Sequence, residues 1–232
     1  MSPASCDEPA SRLMLALDCT GASCSAALFD GATLLADEFQ AMERGQAEVL
    51  LPMVARLFAQ AGRDSAMLGV VAVGVGPGSF TGLRIALAAG HGLALGTGAQ
   101  LVGISSLLAL AEAQPAGQGQ LIIAADSRRD DLFCLAPGLW DEPVALSPGD
   151  AADTLAAAGP GALRLAGTGC DALARALGAR PDSPAFRRTG GPDLAHAREI
   201  GRLALAGRGL HRPEPLYLRP PDVSLPAGPV PS

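Results

Sequence analysis

The chain has 232 residues, 49% of them apolar, and a formal net charge of −6. That length holds one large domain or two small ones with a sizeable core, and the composition excludes a disordered chain. Every basic residue is an arginine, and an acidic chain without a basic stripe is a poor nucleic-acid binder by itself, so a role with RNA calls for a partner that supplies positive surface.

Residues 1–11 read as a loose extension. MSPASCDEPAS has two acidic residues and no basic start, so it does not resemble a secretory leader. LMLALD (13–18) is an apolar run ending in Asp18, the pattern of a buried strand. SCSAALFD and ATLLADEFQ flank Asp30-Gly31, which signals a hairpin. A helix is predicted over 46–61, with apolar residues at Val49, Leu50, Met53, Val54, Leu57 and Phe58 and a stop at Gly62. Pro52 calls for a kink or a late start of that helix. LGVVAVGV (68–75) reads as a strand buried on both faces. A second helix follows from Phe80 or Thr81 to about Leu95, then a short strand over 100–104.

A second half begins near Ser105, where Ser105 or Ser106 can cap a short helix. QPAGQGQ is a linker, LIIAADSRRDDLFCLAP a strand–turn–strand, and ALRLAGTGC a strand leading to a glycine turn and a helix over 171–177. A last helix is predicted over 192–207, and the end, RPPDVSLPAGPVPS, is proline-rich. This order predicts an N-lobe over 12–108, a C-lobe over 109–220 and a disordered tail over 221–232. The five cysteines show no CxxC spacing, and Cys19 and Cys24, five apart, would face opposite sides of one extended strand. The apolar stretch 85–111 is broken by glycines, so no membrane span is expected.

The segment GVGPGSFTGLR (74–84) is the sharpest local signal. It is no P-loop, because the chain has no lysine, and it fails the GxGxxG spacing. Two readings stay open: amides at a helix start that hold an anion, or glycines that make a sharp strand-to-helix turn. In the helix that follows, Gly82, Ala86, Gly90 and Ala94 recur four apart, a small-residue face that allows close packing. That face meets either a partner or the chain's own core.

GVGPGSFTGLRIALAAGHGLALG resembles the signature segment of the TsaB family, the dimerisation subunits of the bacterial tRNA threonylcarbamoyladenosine machinery. LALDCTGASCSAALFDG, GQAEVLLPMVARLFAQAG, AADSRRDDLFCLAP, LAGTGCDAL and PLYLRPP are similar to further segments of that family, over about residues 13–220. The resemblance implies an α/β, actin-like (ribonuclease-H-like) two-lobed fold with mixed sheets flanked by helices. It also implies a cytoplasmic, non-catalytic subunit that binds TsaD, with TsaE joining the larger complex. TsaD would transfer threonylcarbamoyl to N6 of adenosine 37, tRNA being met only through the complex, and the free chain could pair with itself. The partner face would be Val49, Met53, Leu57, Gly82, Ala86, Gly90 and Ala94. Asp18, Thr20, Gly167 and Gly169 sit where actin-like ATPases hold nucleotide, as vestigial candidates. No cofactor or metal is expected: by register the paired histidines of TsaD-like proteins fall on Ser106 and Leu110, and neither side chain can replace an imidazole ligand. Gln46 stands where the family commonly has histidine, and His91 falls in the interface helix. The rival readings are a glycoprotease-like hydrolase and an actin-like kinase. The first needs an activated nucleophile, for which Ser79 and Thr81 have no nearby histidine. The second needs two phosphate loops and a catalytic carboxylate, which Asp18 and the 167–169 turn match in part.

Overall fold

A computed structural model describes residues 13–159, 161–180 and 182–218. The chain runs β1 (Leu13–Asp18), β2 (Ser23–Asp30), β3 (Thr33–Ala41), α1 (Gln46–Ala61), β4 (Leu68–Gly76), α2 (Phe80–Thr97), β5 (Gln100–Ser105), α3 (Ser106–Glu112) and β6 (Gln120–Asp126). It continues with β7 (Leu132–Ala136), β8 (Trp140–Leu146), α4 (Pro148–Ala157), β9 (Leu163–Ala166), α5 (Cys170–Gly178), β10 (Phe186–Arg188), α6 (Ala197–Leu205) and β11 (Leu210–His211). A single 3-10 turn, Ser65–Met67, leads into β4.

Two mixed sheets result, ordered β11-β5-β4-β1-β2-β3 and β10-β9-β6-β7-β8. β1 pairs antiparallel with β2 and parallel with β4, so it lies in the middle of the first sheet. Side chains alternate across a strand, and β1 is apolar at every position before Asp18 because both of its faces are covered. Leu13, Leu15 and Leu17 pack with Leu50, Met53 and Leu57 of α1 and with Ala86 and Leu87 of α2. Met14 and Ala16 face the other way, into a middle core with Leu107 and Leu110 of α3 and Ile200 and Leu203 of α6. Ile123 and Leu135 of the second sheet close that middle core. On its far side the second sheet is covered by Ala151 and Leu155 of α4 and Leu173 and Leu177 of α5. The layers are therefore helix, sheet, helix, sheet, helix, two mixed sheets flanked by helices in an α/β fold.

Several local expectations need revision. The hairpin turn is Gly31-Ala32, one residue later than Asp30-Gly31, with Asp30 paired to Thr33. Helix α1 runs through Pro52 rather than starting late. The last helix spans only Ala197–Leu205, with residues 192–196 as its lead-in. β8 and α4 have no counterpart among the predicted elements, although Ser147-Pro148 and Asp150 are a helix-start signature. Ser147 Oγ accepts from the Asp150 amide at 3.0 Å. Ser147→Ala is expected to cost about 1 kcal/mol of unfolding free energy, read as a lower urea midpoint. PLYLRPP does not form a strand over its described part; Leu216 donates its amide to the Val75 carbonyl at 2.8 Å and lies along β4. The 109–220 lobe also changes at its end: α6 packs on the first sheet and β11 pairs antiparallel with β5. The expected extension 1–11 and tail 221–232 lie outside the described residues. Cys19 and Cys24 do not share a strand: a turn separates them and their sulfurs meet at 3.6 Å.

His196 holds α6 in place. Its Nδ1 accepts from the Arg198 amide at 2.9 Å, and its Nε2 stands 3.2 Å from Asp37 Oδ2. The ring stacks on Phe39. Burial and then Arg198 lower its pKa, and the Asp37 carboxylate opposes them. A lowered folded-state pKa means the unfolded chain takes the proton first. The His196 contribution is thus complete above the ordinary value of 6.5 and is lost as pH falls below it, until the folded ring also protonates. The urea midpoint of the wild type should fall more between pH 8 and pH 5.5 than that of His196→Gln, as measured by circular dichroism.

Candidate functional site

The glycine loop between β4 and α2 wraps the end of β1. A Cβ at Gly74 would stand 2.0 Å from Asp18 Oδ1, and at Gly78 2.3 Å from the Thr20 carbonyl oxygen. At Gly82 it would stand 1.9 Å from the Cys19 carbonyl oxygen. The Ser79 amide donates to the Thr20 carbonyl at 2.7 Å, and the Gly76 amide to Ser106 Oγ at 3.3 Å. Ser79 Oγ then caps α2 by accepting from the Gly82 amide. Glycine is required because backbone meets backbone here, and two loop amides already have partners within the chain. Of the two readings of the loop, the geometry favours the strand-to-helix turn.

Asp18 lies beneath that loop and is fully buried. Its Oδ1 accepts from the Thr20 and Ser106 hydroxyls, each at 3.0 Å, and its Oδ2 from the Thr20 amide at 3.3 Å. Burial raises its pKa, while the hydrogen bonds from Ser106 and Thr20 oppose the rise. The carboxyl is enclosed by its own hydroxyl and amide donors rather than presented to a ligand. Gly167 and Gly169 behave likewise. The Gly167 amide donates to Asp193 at 2.9 Å and the Gly169 amide to the Ala124 carbonyl at 2.8 Å. Both glycines press on β6: a Cβ at Gly167 would meet the Ala124 carbonyl oxygen at 2.4 Å.

Above Asp18 opens a cleft of about 1230 Å³ between the two sheets. Thr20 and Thr168 line it with Ser79, Arg84 and the hairpin-tip residues Arg128 and Arg129. Of the mixed-charge turn 126–131, Arg128 stands in the left-handed region, its amide bonded to Asp126 Oδ1 at 2.7 Å. Ser106 and Leu110 both reach the cleft. Among the described residues no group of three or more His, Cys, Asp or Glu side chains could hold a metal ion.

The expected partner face needs correction. Met53 and Leu57 are fully buried in the core between α1 and the first sheet, and Val49 packs against that core. Gly82, Ala86 and Gly90 form the seam of α2 on the sheet, and a Cβ at Gly90 would stand 2.5 Å from Val73 Cγ2. Ala94 is half-buried against the same core. The outward surface of the two helices includes the apolar and small residues Leu51, Ala55 and Ala59 on α1 and Ala88, Gly92, Leu95 and Gly96 on α2, with His91, and also carries Glu48, Arg56, Gln60 and Arg84, all exposed. Leu95 is 89% exposed, and a Cβ at Gly92 or Gly96 would meet nothing. A second small-residue row, 88-92-96, is thus written into the same helix on the side opposite the first. Gln46 is buried at the start of α1, and its Nε2 donates to the Met42 carbonyl.

Comparison with known proteins bears on this arrangement. The family model described as TsaD, tRNA N6-adenosine threonylcarbamoyltransferase, matches residues 40–178. The chain is 33% identical over 122 residues to the tRNA threonylcarbamoyladenosine biosynthesis protein TsaB of Escherichia coli, covering 52% of each. It is 33% identical over 123 residues to the TsaB of Haemophilus influenzae, covering 52% of this chain and 51% of that one. These matches span about half the length of the curated relatives. Among solved structures, a Pseudomonas aeruginosa protein described as similar to peptidase YEAZ superposes with a TM-score of 0.73 at 29% identity, over 90% of this chain and 100% of that one. YeaZ from Pseudomonas aeruginosa gives 0.69 at 28% identity, over 89% and 100%. With more than half of its length matched by the family model, the chain belongs to the TsaD family of tRNA N6-adenosine threonylcarbamoyltransferases, and within it is similar to the TsaB proteins.

Proposed function

We propose that the chain is a TsaB-type subunit of the tRNA threonylcarbamoyladenosine machinery. It binds TsaD and thereby supports threonylcarbamoyl transfer to N6 of adenosine 37, without carrying out the chemistry itself. The observation that carries this reading is the outward face of α1 and α2, apolar and small at Leu51, Ala55, Ala59, Ala88, Gly92, Leu95 and Gly96. Small side chains let a second pair of helices approach closely. The enclosed Asp18 and the cleft positions Ser106 and Leu110 support the non-catalytic half of the reading. In this reading TsaE joins through the assembled pair, tRNA is met through TsaD, and the same helices serve a homodimer when TsaD is absent. Among the described residues no helix is long and apolar enough to cross a membrane.

Analytical ultracentrifugation of the chain, alone and mixed with TsaD from the same organism, tests this directly. A one-to-one complex that consumes the free chain is the expected result. A folded chain that stays apart from TsaD at micromolar concentration would overturn the proposal.

A further inference from the structure

Cys19 and Cys24 belong neither to the helix face nor to the lining of the cleft. They are the first residues beyond the last rung of the β1–β2 ladder, Asp18 opposite Ser25. The turn Thr20–Ala22 holds them face to face, both fully buried, and Cys19 Sγ donates to Cys24 Sγ at 3.6 Å. A disulfide brings two sulfurs to about 2.05 Å, so closure asks for a movement of about 1.5 Å shared between two side chains. Both side chains belong to the core that α1 and α2 cover on the first sheet, and Gly21 and Ala22 in the turn between them are partly exposed.

We propose that Cys19 and Cys24 are a redox-active dithiol, which a hydroperoxide oxidises to an intramolecular disulfide between the ends of β1 and β2. The hydrogen bond that Cys19 donates raises its own pKa and lowers that of Cys24, so Cys24 ionises first. The Cys24 thiolate attacks one peroxide oxygen; the O–O bond breaks, the other oxygen leaves as water after taking a proton, and Cys24 becomes a sulfenic acid. Cys19 Sγ then attacks the Cys24 sulfur. The S–S bond forms, the S–O bond breaks, and the hydroxyl leaves with the Cys19 proton as a second water. Two thiols and one hydrogen peroxide thus give one disulfide and two waters, with each sulfur oxidised by one electron and each peroxide oxygen reduced by one. The other two described cysteines are buried thiols in the outer core of the second sheet, with no hydrogen bond between their sulfurs, and burial pushes both up to about 12.

Oxidation of the folded, full chain by hydrogen peroxide, followed by alkylation in denaturant and trypsin digestion without reductant, reads the proposal out. Arg12 and Arg44 bound a peptide that contains both Cys19 and Cys24 and no other cysteine. The expected product is that peptide two hydrogens lighter than its dithiol form, unalkylated, and returned to the dithiol by dithiothreitol, while Cys134 and Cys170 stay alkylatable. In Cys19→Ser the oxidised peptide should instead carry a sulfenic acid on Cys24, trapped by dimedone. Recovery of Cys19 and Cys24 as two alkylated thiols would overturn the proposal, as would their loss to sulfinic or sulfonic acids or oxidation at the same rate as Cys134 and Cys170.

Discussion

Gly82→Ala should destabilise the chain by about 3 kcal/mol or more, through one added methyl group on a buried helix face. The new Cβ would stand 1.9 Å from the Cys19 carbonyl oxygen, a backbone atom that no rotamer change can move aside. Helix α2 would have to lift off the end of β1, and the Ser79–Thr20 backbone hydrogen bond of 2.7 Å would stretch with it. Gly92→Ala is the matched comparison, ten residues along the same helix where a Cβ meets nothing. There the substitution should stabilise by about 0.5–1 kcal/mol, the ordinary gain of alanine over glycine within a helix. Urea unfolding of the two variants decides: midpoints that shift in the same direction would rule out the close approach of α2 to β1 as the reason for glycine at 82.

The second large effect concerns partner binding. Gly92→Arg and Leu95→Asp place charge on the outward row of α2, at positions where the free chain has open space or an 89% exposed leucine. Gly92→Arg should raise the unfolding free energy by about 0.5–1 kcal/mol, as alanine does there, and Leu95→Asp, in the last turn of α2, should lower it by about 1 kcal/mol. Each should weaken TsaD binding roughly 30-fold or more, about 2 kcal/mol, because a charge driven into a dry helix contact stays unpaired. Gly90→Leu is the contrast: its side chain would collide with Val73 inside the chain, so any loss of binding should come with loss of folded protein. Titration calorimetry beside a urea curve separates the two. Normal binding by both charged variants would move the partner site away from α2.

Most elements of the first sheet were legible because their signals are local. The apolar runs of LMLALD and LGVVAVGV and the stripe of α1 depend on neighbours within a few residues, and each element formed where its pattern stands. The last helix is shorter than Pro192 and Gly207 suggest as limits, because His196 supplies the cap and the helix ends at Leu205. β8 was harder to see, since Asp141, Glu142 and Pro143 interrupt an edge strand that is half solvated.

By itself the sequence determined the layered α/β class, the order of elements through α3, and the absence of a lysine-bearing phosphate loop. Only the tertiary structure decided which side of α2 faces outward. Gly82, Ala86 and Gly90 on one side and Ala88, Gly92 and Gly96 on the other form equally small rows, and a helix that is apolar and small nearly all round carries no period to tell its own sheet from a partner. The same holds for Asp18 and for the cysteine pair. A carboxylate at a strand end reads alike whether water, a ligand or Ser106 from 88 residues away meets it. Two cysteines five apart become neighbours only once the chain has turned back between them. Periodicity records which residues leave water; contact across the fold decides what they meet there.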